Sequence, residues 1–396
     1  MKLLLEDSSP QSRRIWTWVY WGLSIFTASL ILVYNLTNIR EAIPEARQFI
    51  LFWIFAYFVS KLFGALFFLL GDVWRGFMWV WQRLFVQGDP TITEPVNTEA
   101  KGITRSEFVA KTALIASAVP IATMGFGIIS GAHDYQVRRR RVVLPNLPKS
   151  FDGIKIAQLS DIHSGSFFNK TAVKGGVEML MAEKPDVVFF TGDLVNNLAE
   201  EVKEYVPIFD KVKAPLGVYS TFGNHDYAEY TNLSEAGKER SRNDLKRAHK
   251  EMGWDLLWDE NRILTQGGDK LAVLGVQNWG TGRWPKYGNL EKANQGTEEA
   301  AVKLLLSHDP THWDGQVRPQ FGDIDVTFSG HTHGFQFGVE IGNWRWSPAQ
   351  YMYKQWADLY KEGNQYLYVN RGFGYLGYPG RIGIMPEITI MELVRG

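Results

Sequence analysis

Three long apolar runs occupy the first third of the chain. Residues 15–34 contain no charged side chain and, as a helix, are long enough to cross a hydrocarbon core of roughly 30 Å. A second run covers residues 49–70 and is interrupted by Lys61, and a third covers residues 112–132 and is rich in small residues. The pattern predicts an α-helical transmembrane region over residues 1–137 with about three hydrophobic helices.

Polar and aromatic residues next to these runs allow more than one interpretation. Residues 74–85 mix arginine with tryptophan, which is typical of an interfacial helix or a helix end. Residues 104–108 resemble a twin-arginine export signal in which Ser106 replaces the second arginine. The third run is therefore either a retained export sequence or an ordinary helix with small packing residues, and we predict that it spans the membrane. Lys61 is expected to face a partner helix or a polar cavity.

The arginines of the chain bear on its orientation in a cell membrane. Arg13 and Arg14 precede the first run, as expected for a cytoplasmic anchor. Three crossings then place the chain after residue 137 outside the cytoplasm, whereas it lies inside if the second run does not cross. The arginine cluster at residues 138–141 argues against the outside location, because basic residues are more frequent on the cytoplasmic side. This cluster either binds anionic lipid headgroups or is solvated. Residues 138–149 are predicted to be a basic linker.

From residue 150 onward, short apolar runs alternate with helical periodicity. This alternation predicts an α/β core over residues 150–396. Predicted strands that end on polar residues lie within 154–163, 185–193, 217–226, 271–279 and 323–334, and a helix-to-strand element ends near His308.

Composition and charge exclude several classes of function. The 42 basic and 42 acidic residues balance, which argues against a nucleic-acid partner. There is no cysteine, so a disulfide, a thiolate nucleophile and a cysteine zinc site are excluded.

Five successive strand ends carry side chains that bind metals. Five of the eight histidines lie there, in a set made of Asp161 with His163, Asp193, Asn224 with His225, His308, and His331 with His333. Alternate residues of an extended chain share a face, so two such pairs predict two metal ions with Asp193 between them. Histidine and carboxylate ligands favour Mn, Fe, Zn or Co over calcium. Each motif alone could be a turn or a surface pair, and the ordered set is what indicates a site.

The ordered set resembles the motifs of the calcineurin-like metallophosphoesterase family. The pattern D-x-H, G-D, G-N-H-D/E, an isolated H and G-H-x-H is matched at residues 161–163, 192–193, 223–226, 307–310 and 330–333. Membrane-anchored bacterial members, and transmembrane proteins with a metallophosphoesterase domain, are the most similar subgroup. The resemblance implies a four-layer αββα metallophosphoesterase sandwich of two mixed sheets, preceded by the transmembrane region.

The resemblance also implies two divalent metal ions and their ligands. The first would be held by Asp161, His163, Asp193 and His333, and the second by Asp193, Asn224, His308 and His331. Hydrolysis is then expected to proceed by attack of a hydroxide that bridges the metals. His225 is outside both ligand sets and is expected either to protonate the leaving oxygen or to stabilise charge in the transition state. Asp226 is expected, from adjacency alone, to orient that imidazole.

The predicted function is a membrane-anchored dinuclear phosphoesterase acting on phosphodiester or pyrophosphate bonds, with a lipid or lipid-linked substrate plausible because of the anchor. The alternatives are a non-specific phosphomonoesterase and a non-catalytic metal-binding membrane scaffold. Three segments are candidates for substrate contacts or for packing, namely residues 227–242, 279–288 and 344–356. Arg371 and Arg381 are expected either to clamp a phosphate or to form salt bridges.

Overall fold

The computed structural model describes residues 9–37, 44–85, 105–282, 285–342 and 344–396. Thr104 of the export-like motif, and Arg283 and Trp284 of the candidate segment 279–288, lie outside the described residues. The chain divides into two compact units, Met1–Gly125 and Phe126–Gly396.

The first unit is built from long apolar helices. Helix α1 (Pro10–Leu36) starts at Ser9, whose hydroxyl accepts a hydrogen bond from the backbone N–H of Ser12. Helix α2 (Pro44–Phe85) continues through residues 74–85, so the tryptophan and arginine stretch is the end of one helix rather than a separate interfacial helix. With α3 (Arg105–Ile129), the described residues contain three helices that are long and apolar enough to cross a membrane.

The second unit contains a strand where we predicted a linker. Strand β1 (Gln136–Leu144) contains Arg138, Arg139 and Arg140, and it pairs in parallel with the last strand, β14 (Glu387–Arg395). These arginines form ion pairs with Glu340, Glu183 and Asp358, respectively. The prediction of a basic linker is therefore wrong for residues 138–144, where four consecutive arginines hid the alternation of side chains that is typical of a strand.

Two six-stranded mixed sheets form the centre of this unit. The first includes β1 and β14 together with β2 (Lys155–Leu159), β3 (Val187–Phe190), β4 (Val218–Ser220) and β5 (Asp255–Leu256), in the order β1-β14-β2-β3-β4-β5. The second contains β6 (Glu260–Gln266), β7 (Asp269–Gly275), β8 (Val302–Leu306), β9 (Val326–Ser329), β12 (Asp358–Glu362) and β13 (Gln365–Val369), in the order β12-β13-β9-β8-β7-β6. A separate hairpin is formed by β10 (Val339–Ile341) and β11 (Trp344–Trp346).

Shorter helices cover the outer faces of the two sheets. They are α4 (Lys170–Ala182), α5 (Val206–Phe209), α6 (Glu235–Glu251) and α7 (Leu290–Asn294), and a further short helix, α8 (Arg318–Gln320), has no buried residue. Helix α4 buries Val173, Val177 and Leu180, which repeat at helical spacing along one face, against the first sheet. A separate apolar core, which includes Phe189 and Phe328, lies between the sheets. The predicted four-layer αββα arrangement is confirmed.

The strand directions bring the polar strand ends together. Strands β2, β3 and β4 run parallel to one another, as do β7, β8 and β9. Each of β2, β3, β4, β8 and β9 is followed within four residues by a candidate ligand. Carboxyl ends of parallel strands share one edge, so the candidate ligands meet at one edge of the sandwich.

Candidate metal centre

Asp161, His163 and His333 form the first of two groups of potential metal ligands. All three side chains are buried, and their ligand atoms lie within 4.8 Å of one another. His333 Nε2 lies 3.2 Å from Asp161 Oδ1 and 3.0 Å from His163 Nε2. Asp161 also accepts hydrogen bonds from the backbone N–H of His331, which ties the turn after β2 to the turn after β9.

Asp193, His308 and His331 form the second group, on the same distance criterion. His308 Nε2 lies 3.1 Å from Asp193 Oδ2 and 3.3 Å from His331 Nδ1. The amide oxygen of Asn224 lies 3.1 Å from the same His308 nitrogen. Asn224 therefore adjoins this group.

Asp193 lies between the two groups. Its Oδ2 atom is 3.5 Å from His163 Nε2, in the first group, and 3.1 Å from His308 Nε2, in the second. Its Oδ1 atom accepts a hydrogen bond of 2.8 Å from the backbone N–H of His225. One oxygen thus faces both groups while the other fixes the carboxylate.

The backbone at the site adopts an unusual conformation. Asp161, His163, Asp193, His331 and His333 all have φ between 48° and 71°, in the left-handed region that residues other than glycine rarely occupy. Such conformations persist where the surrounding structure holds them, and they cluster at functional sites. Gly223 is required for a different reason, because a Cβ atom there would lie 2.7 Å from the ring of His308.

The donor atoms of the two groups are suited to cations. His308 Nδ1 is 2.8 Å from the carbonyl oxygen of Thr191, so it donates its proton there and Nε2 is the ring nitrogen that faces the site. Histidine nitrogens face one another at 3.0 Å and 3.3 Å in the two groups, with carboxylate oxygens beside them. Lone pairs that converge in a buried space repel one another unless a proton or a cation lies between them, so these residues fit two metal ions.

The electrostatics of the site also favour positive charge. Burial alone would raise the pKa of Asp161 and Asp193, but the imidazoles of His333 and His308 outweigh it and hold both pKa values below the usual carboxyl range. For His308, burial opposes the charged form, and the carboxylate of Asp193 overcomes this and raises the pKa to about 10. Burial lowers the pKa of His163. The carboxylates are therefore ionised at neutral pH.

His225 lies at the mouth of the site and outside both groups. Its Nδ1 is 2.7 Å from the carbonyl oxygen of Asn196, and its ring stacks on Tyr230 with centroids 4.3 Å apart. Tyr230 also accepts a hydrogen bond of 2.6 Å from the amide of Asn224, which turns the amide oxygen toward His308. The segment 227–242 therefore contributes Tyr230 to the site.

Asp226 contacts the backbone instead of the imidazole of His225. Its carboxylate accepts hydrogen bonds from the backbone N–H groups of Asp193, Leu194, Val195 and Gly223. Burial and the charge of Asp193 raise the pKa of Asp226 to about 8, against the lowering effect of these donors. The expectation that Asp226 orients His225 is wrong: Asp226 joins the loops after β3 and β4, and Asn196 contacts the imidazole.

Arg371 and Arg381 are buried away from solvent. Arg371 forms ion pairs of 2.7 Å with both Glu387 and Glu340. Arg381 donates to backbone carbonyl oxygens, including those of Gly374 and Arg371. The salt-bridge alternative holds for Arg371, and Arg381 braces the turns beneath His333, whose Nδ1 lies 3.3 Å from its guanidinium. The alternative that these two arginines clamp a phosphate is therefore wrong, because both side chains are fully buried and bonded within the protein.

Tyr353 is a site residue that the motifs did not single out. Its hydroxyl lies 3.0 Å from His331 Nε2, so the other ring nitrogen, Nδ1, faces His308. The only feature of the sequence that pointed to Tyr353 was its position in the aromatic segment 344–356.

Comparison with known proteins agrees with this geometry. Residues 154–335 match the model of a family described as calcineurin-like phosphoesterase. Residues 3–132 match one described as probable calcineurin-like phosphoesterase, transmembrane domain. A metallophosphoesterase of Bacillus subtilis named YkuE is 28% identical over 256 residues, which are 62% of this chain and 81% of that protein.

A "transmembrane protein with metallophosphoesterase domain" of Bos taurus is 30% identical over 284 residues. The match covers 67% of this chain and 59% of the bovine protein. Among solved structures, the sulfate thiohydrolase SoxB of Thermus thermophilus aligns with a TM-score of 0.37 and 13% identity, over 62% of this chain and 57% of the other. By the two family matches, and by relatives that are named as metallophosphoesterases, the chain belongs to the calcineurin-like phosphoesterases and carries the transmembrane domain associated with them.

Proposed function

We propose that this family member is a membrane-anchored, dinuclear metal-dependent phosphoesterase that hydrolyses phosphodiester or pyrophosphate bonds. The observation that carries the dinuclear assignment is the position of Asp193. One carboxylate oxygen of this residue lies within 3.5 Å of a histidine nitrogen in each of the two groups. A single buried carboxylate that faces two sets of ligands suits a bridge between two cations.

The proposed ligand sets follow the two groups. Asp161, His163, Asp193 and His333 would hold one ion, and Asp193, Asn224, His308 and His331 the other. Nitrogen and oxygen donors in this mixture suit Mn, Fe, Zn or Co. Bound cations would supply charge stabilisation at the phosphoryl oxygens and a water of lowered pKa.

His225 is proposed to handle the proton of the leaving oxygen. The carbonyl oxygen of Asn196 holds Nδ1–H, so Nε2 remains for exchange with a substrate atom. The stacked ring of Tyr230 limits rotation of the imidazole and keeps it directed at the mouth of the site. Tyr353 and the carbonyl oxygen of Thr191 fix the rings of His331 and His308, so the ligand atoms need little rearrangement.

The anchor supports a substrate that resides in the membrane, such as a phospholipid or a lipid-linked pyrophosphate. Three candidate spanning helices keep the second unit near a bilayer. We further propose that this unit lies outside the cytoplasm, because three crossings from an inside N-terminus end there. Digestion of intact cells and of opened vesicles with an added protease tests the orientation.

An activity screen tests the proposed reaction. The full chain in detergent is loaded with manganese and, in parallel, with iron, zinc or cobalt, and is given a chromogenic bis-phosphodiester, the matched monoester and a lipid extract. Turnover of the diester or the lipid that is lost on chelation supports the proposal. Preference for the monoester would favour the phosphomonoesterase alternative, and no turnover with any of the four metals would favour the scaffold. His308→Ala is the matched inactive control, and Asp244→Ala, at a surface ion pair, controls for purification.

A further inference from the structure

Several apolar side chains between residues 335 and 352 are exposed near the metal centre. Ile341 is 69% exposed, Trp344 59% and Tyr351 76%. We define the aromatic surface as the exposed residues Phe335, Phe337, Val339, Ile341, Trp344, Tyr351 and Met352. Exposed apolar patches of several large side chains mark interaction sites.

The hairpin in this surface has its polar face turned inward. Glu340 and Arg345 are a cross-strand pair, and they bond to the buried Arg371 and to Asp358, respectively. Side chains alternate between the faces of a strand, so the neighbouring pair of Ile341 and Trp344 faces away from the protein. A hairpin that is stable in water buries its apolar face, and this one buries its charges.

The aromatic surface lies next to the end of a candidate membrane span. The span includes residues 107–133. Within the second unit, the carbonyl oxygen of Gly127 accepts a hydrogen bond of 3.1 Å from the backbone N–H of Arg381. The following residue, Ile382, accepts a bond of 2.9 Å from the N–H of Gly338, and it forms a bridge with Phe337. Two backbone hydrogen bonds, made by the neighbouring residues Arg381 and Ile382, therefore connect the last turns of the span to the base of the hairpin.

The same segment reaches the metal centre. Phe335 follows His333 by two residues, and Tyr353 follows Met352 and contacts His331. The rings of Phe335 and Tyr353 are 6.5 Å apart, edge to face. Whatever covers the aromatic surface thus lies beside the candidate ligands.

We infer that the aromatic surface docks on the lipid bilayer, at the boundary between the headgroups and the acyl chains. Tryptophan and tyrosine prefer this zone because their rings are apolar and carry one polar group. The bilayer is favoured over a soluble partner because the neighbouring span holds the surface near a membrane at all times. Docking goes beyond hydrolysis, since it requires no catalytic step, and it sets the metal centre at headgroup level.

Fluorescent labelling tests the docking without any measurement of activity. The chain has no cysteine, so Ile341→Cys gives a single labelling site for an environment-sensitive NBD probe. The labelled full chain is reconstituted into vesicles of phosphatidylcholine and phosphatidylglycerol, with and without doxyl-labelled lipid. Gln266→Cys is the matched control, because it is exposed on the β6–β7 hairpin, whose turn lies at the edge of the second sheet opposite the carboxyl strand ends.

Docking predicts a blue-shifted emission at position 341, loss of fluorescence with doxyl lipid, and protection from iodide present on both sides of the membrane. Position 266 should show the opposite behaviour. Iodide quenching at 341 without lipid quenching would overturn the inference. So would a signal at 341 that depends on the ratio of protein to lipid, because this indicates a second copy on the surface.

A second labelling site keeps the test independent of the hairpin. Met352→Cys lies on the neighbouring loop and is 69% exposed. It should give the same lipid quenching as position 341, and aqueous exposure at both positions would overturn the inference. Because neither readout involves phosphoester hydrolysis, failure of the docking leaves the proposed reaction untouched, and an inactive protein leaves the docking result valid.

Discussion

The backbone N–H of Asp193 donates a hydrogen bond of 2.8 Å to the buried carboxylate of Asp226. The same carboxylate accepts from Gly223, in the loop that carries Asn224. Asp226 therefore sets the distance between two loops that each deliver a candidate ligand. Its motif position after His225 had suggested a role in proton transfer, whereas its contacts indicate a positioning role.

Removal of this carboxylate should destabilise the second unit. Asp226→Ala leaves several buried N–H groups without an acceptor, and we expect the free energy of unfolding to fall by about 3 kcal/mol or more. Asp226→Asn keeps one oxygen and should lose less. Denaturant unfolding of the full chain in detergent measures both. A loss as small as that of Asp244→Ala, a surface variant, would contradict the role given to Asp226.

The bridging position of Asp193 predicts the metal content of two variants. Asp193→Ala should lose both ions, because its Oδ2 faces both groups, whereas His163→Ala should keep the ion held by His308 and His331. Elemental analysis of the purified chain after equilibration with manganese gives the number of ions per chain. One ion retained by Asp193→Ala would show that the carboxylate serves a single group.

The separation of His225 from the ligand groups predicts a loss of rate without a loss of metal. His225→Ala should keep both ions and lower turnover by about 10²–10⁴-fold, the usual contribution of a proton donor. Metal content and the rate of diester hydrolysis are measured on the same preparation. His133→Ala, which is outside the site, is the control. A metal-free His225→Ala would move the imidazole into a ligand set.

The sequence was most informative where the fold repeats a simple rule. Apolar strands followed at once by polar residues predicted a shared edge, and parallel strands β2, β3, β4, β8 and β9 place Asp161, Asp193, Asn224, His308 and His331 there. Alternation of strands and helices predicted the α/β core, and the resemblance to the family predicted its four layers. The family and the enzyme class followed from the motifs and are confirmed by the matches.

Other features depended on contacts between residues far apart in sequence. The edge strand that replaces the predicted linker pairs with β14 at the other end of the chain, and its Arg140 forms an ion pair with Asp358, 218 residues away. The roles of Tyr353 and of Asp226 follow from three-dimensional neighbours, and no local pattern marks them. Arg371 is likewise buried because it forms ion pairs with Glu340 and Glu387. The sequence alone does not distinguish an arginine in such buried ion pairs from one that binds a phosphate.

The burial of Arg371 predicts a stability defect instead of a substrate defect. Arg371→Ala leaves Glu387 ionised, fully buried and without this partner, and we expect a loss of about 3–5 kcal/mol in the free energy of unfolding. Arg139→Ala, at an exposed pair with Glu183, should cost less than about 1 kcal/mol. Unfolding curves compare the two. Unchanged stability with a raised KM for Arg371→Ala would return this residue to the substrate site.

His249 predicts how stability depends on pH. The side chain is buried among the rings of Phe190, Phe222 and Trp254, and Nδ1 is 2.9 Å from the Ser220 hydroxyl. Its Nε2 has no hydrogen-bond partner among the residues that the structure describes. Burial lowers the pKa of His249 to about 3. The folded chain therefore keeps this histidine neutral at pH values where the unfolded chain takes up a proton.

Because the unfolded state binds the proton first, stability should fall as the pH decreases from about 6.5 toward 3. Relative to pH 7, this group alone should cost about 2 kcal/mol at pH 5. His249→Phe removes the titrating group and keeps one aromatic ring among the aromatic neighbours. The variant should therefore lose less stability on acidification than the parent chain does. Unfolding free energies of both chains at pH 7 and pH 5 measure the difference, and parallel losses would show that His249 is not the group that resists acid.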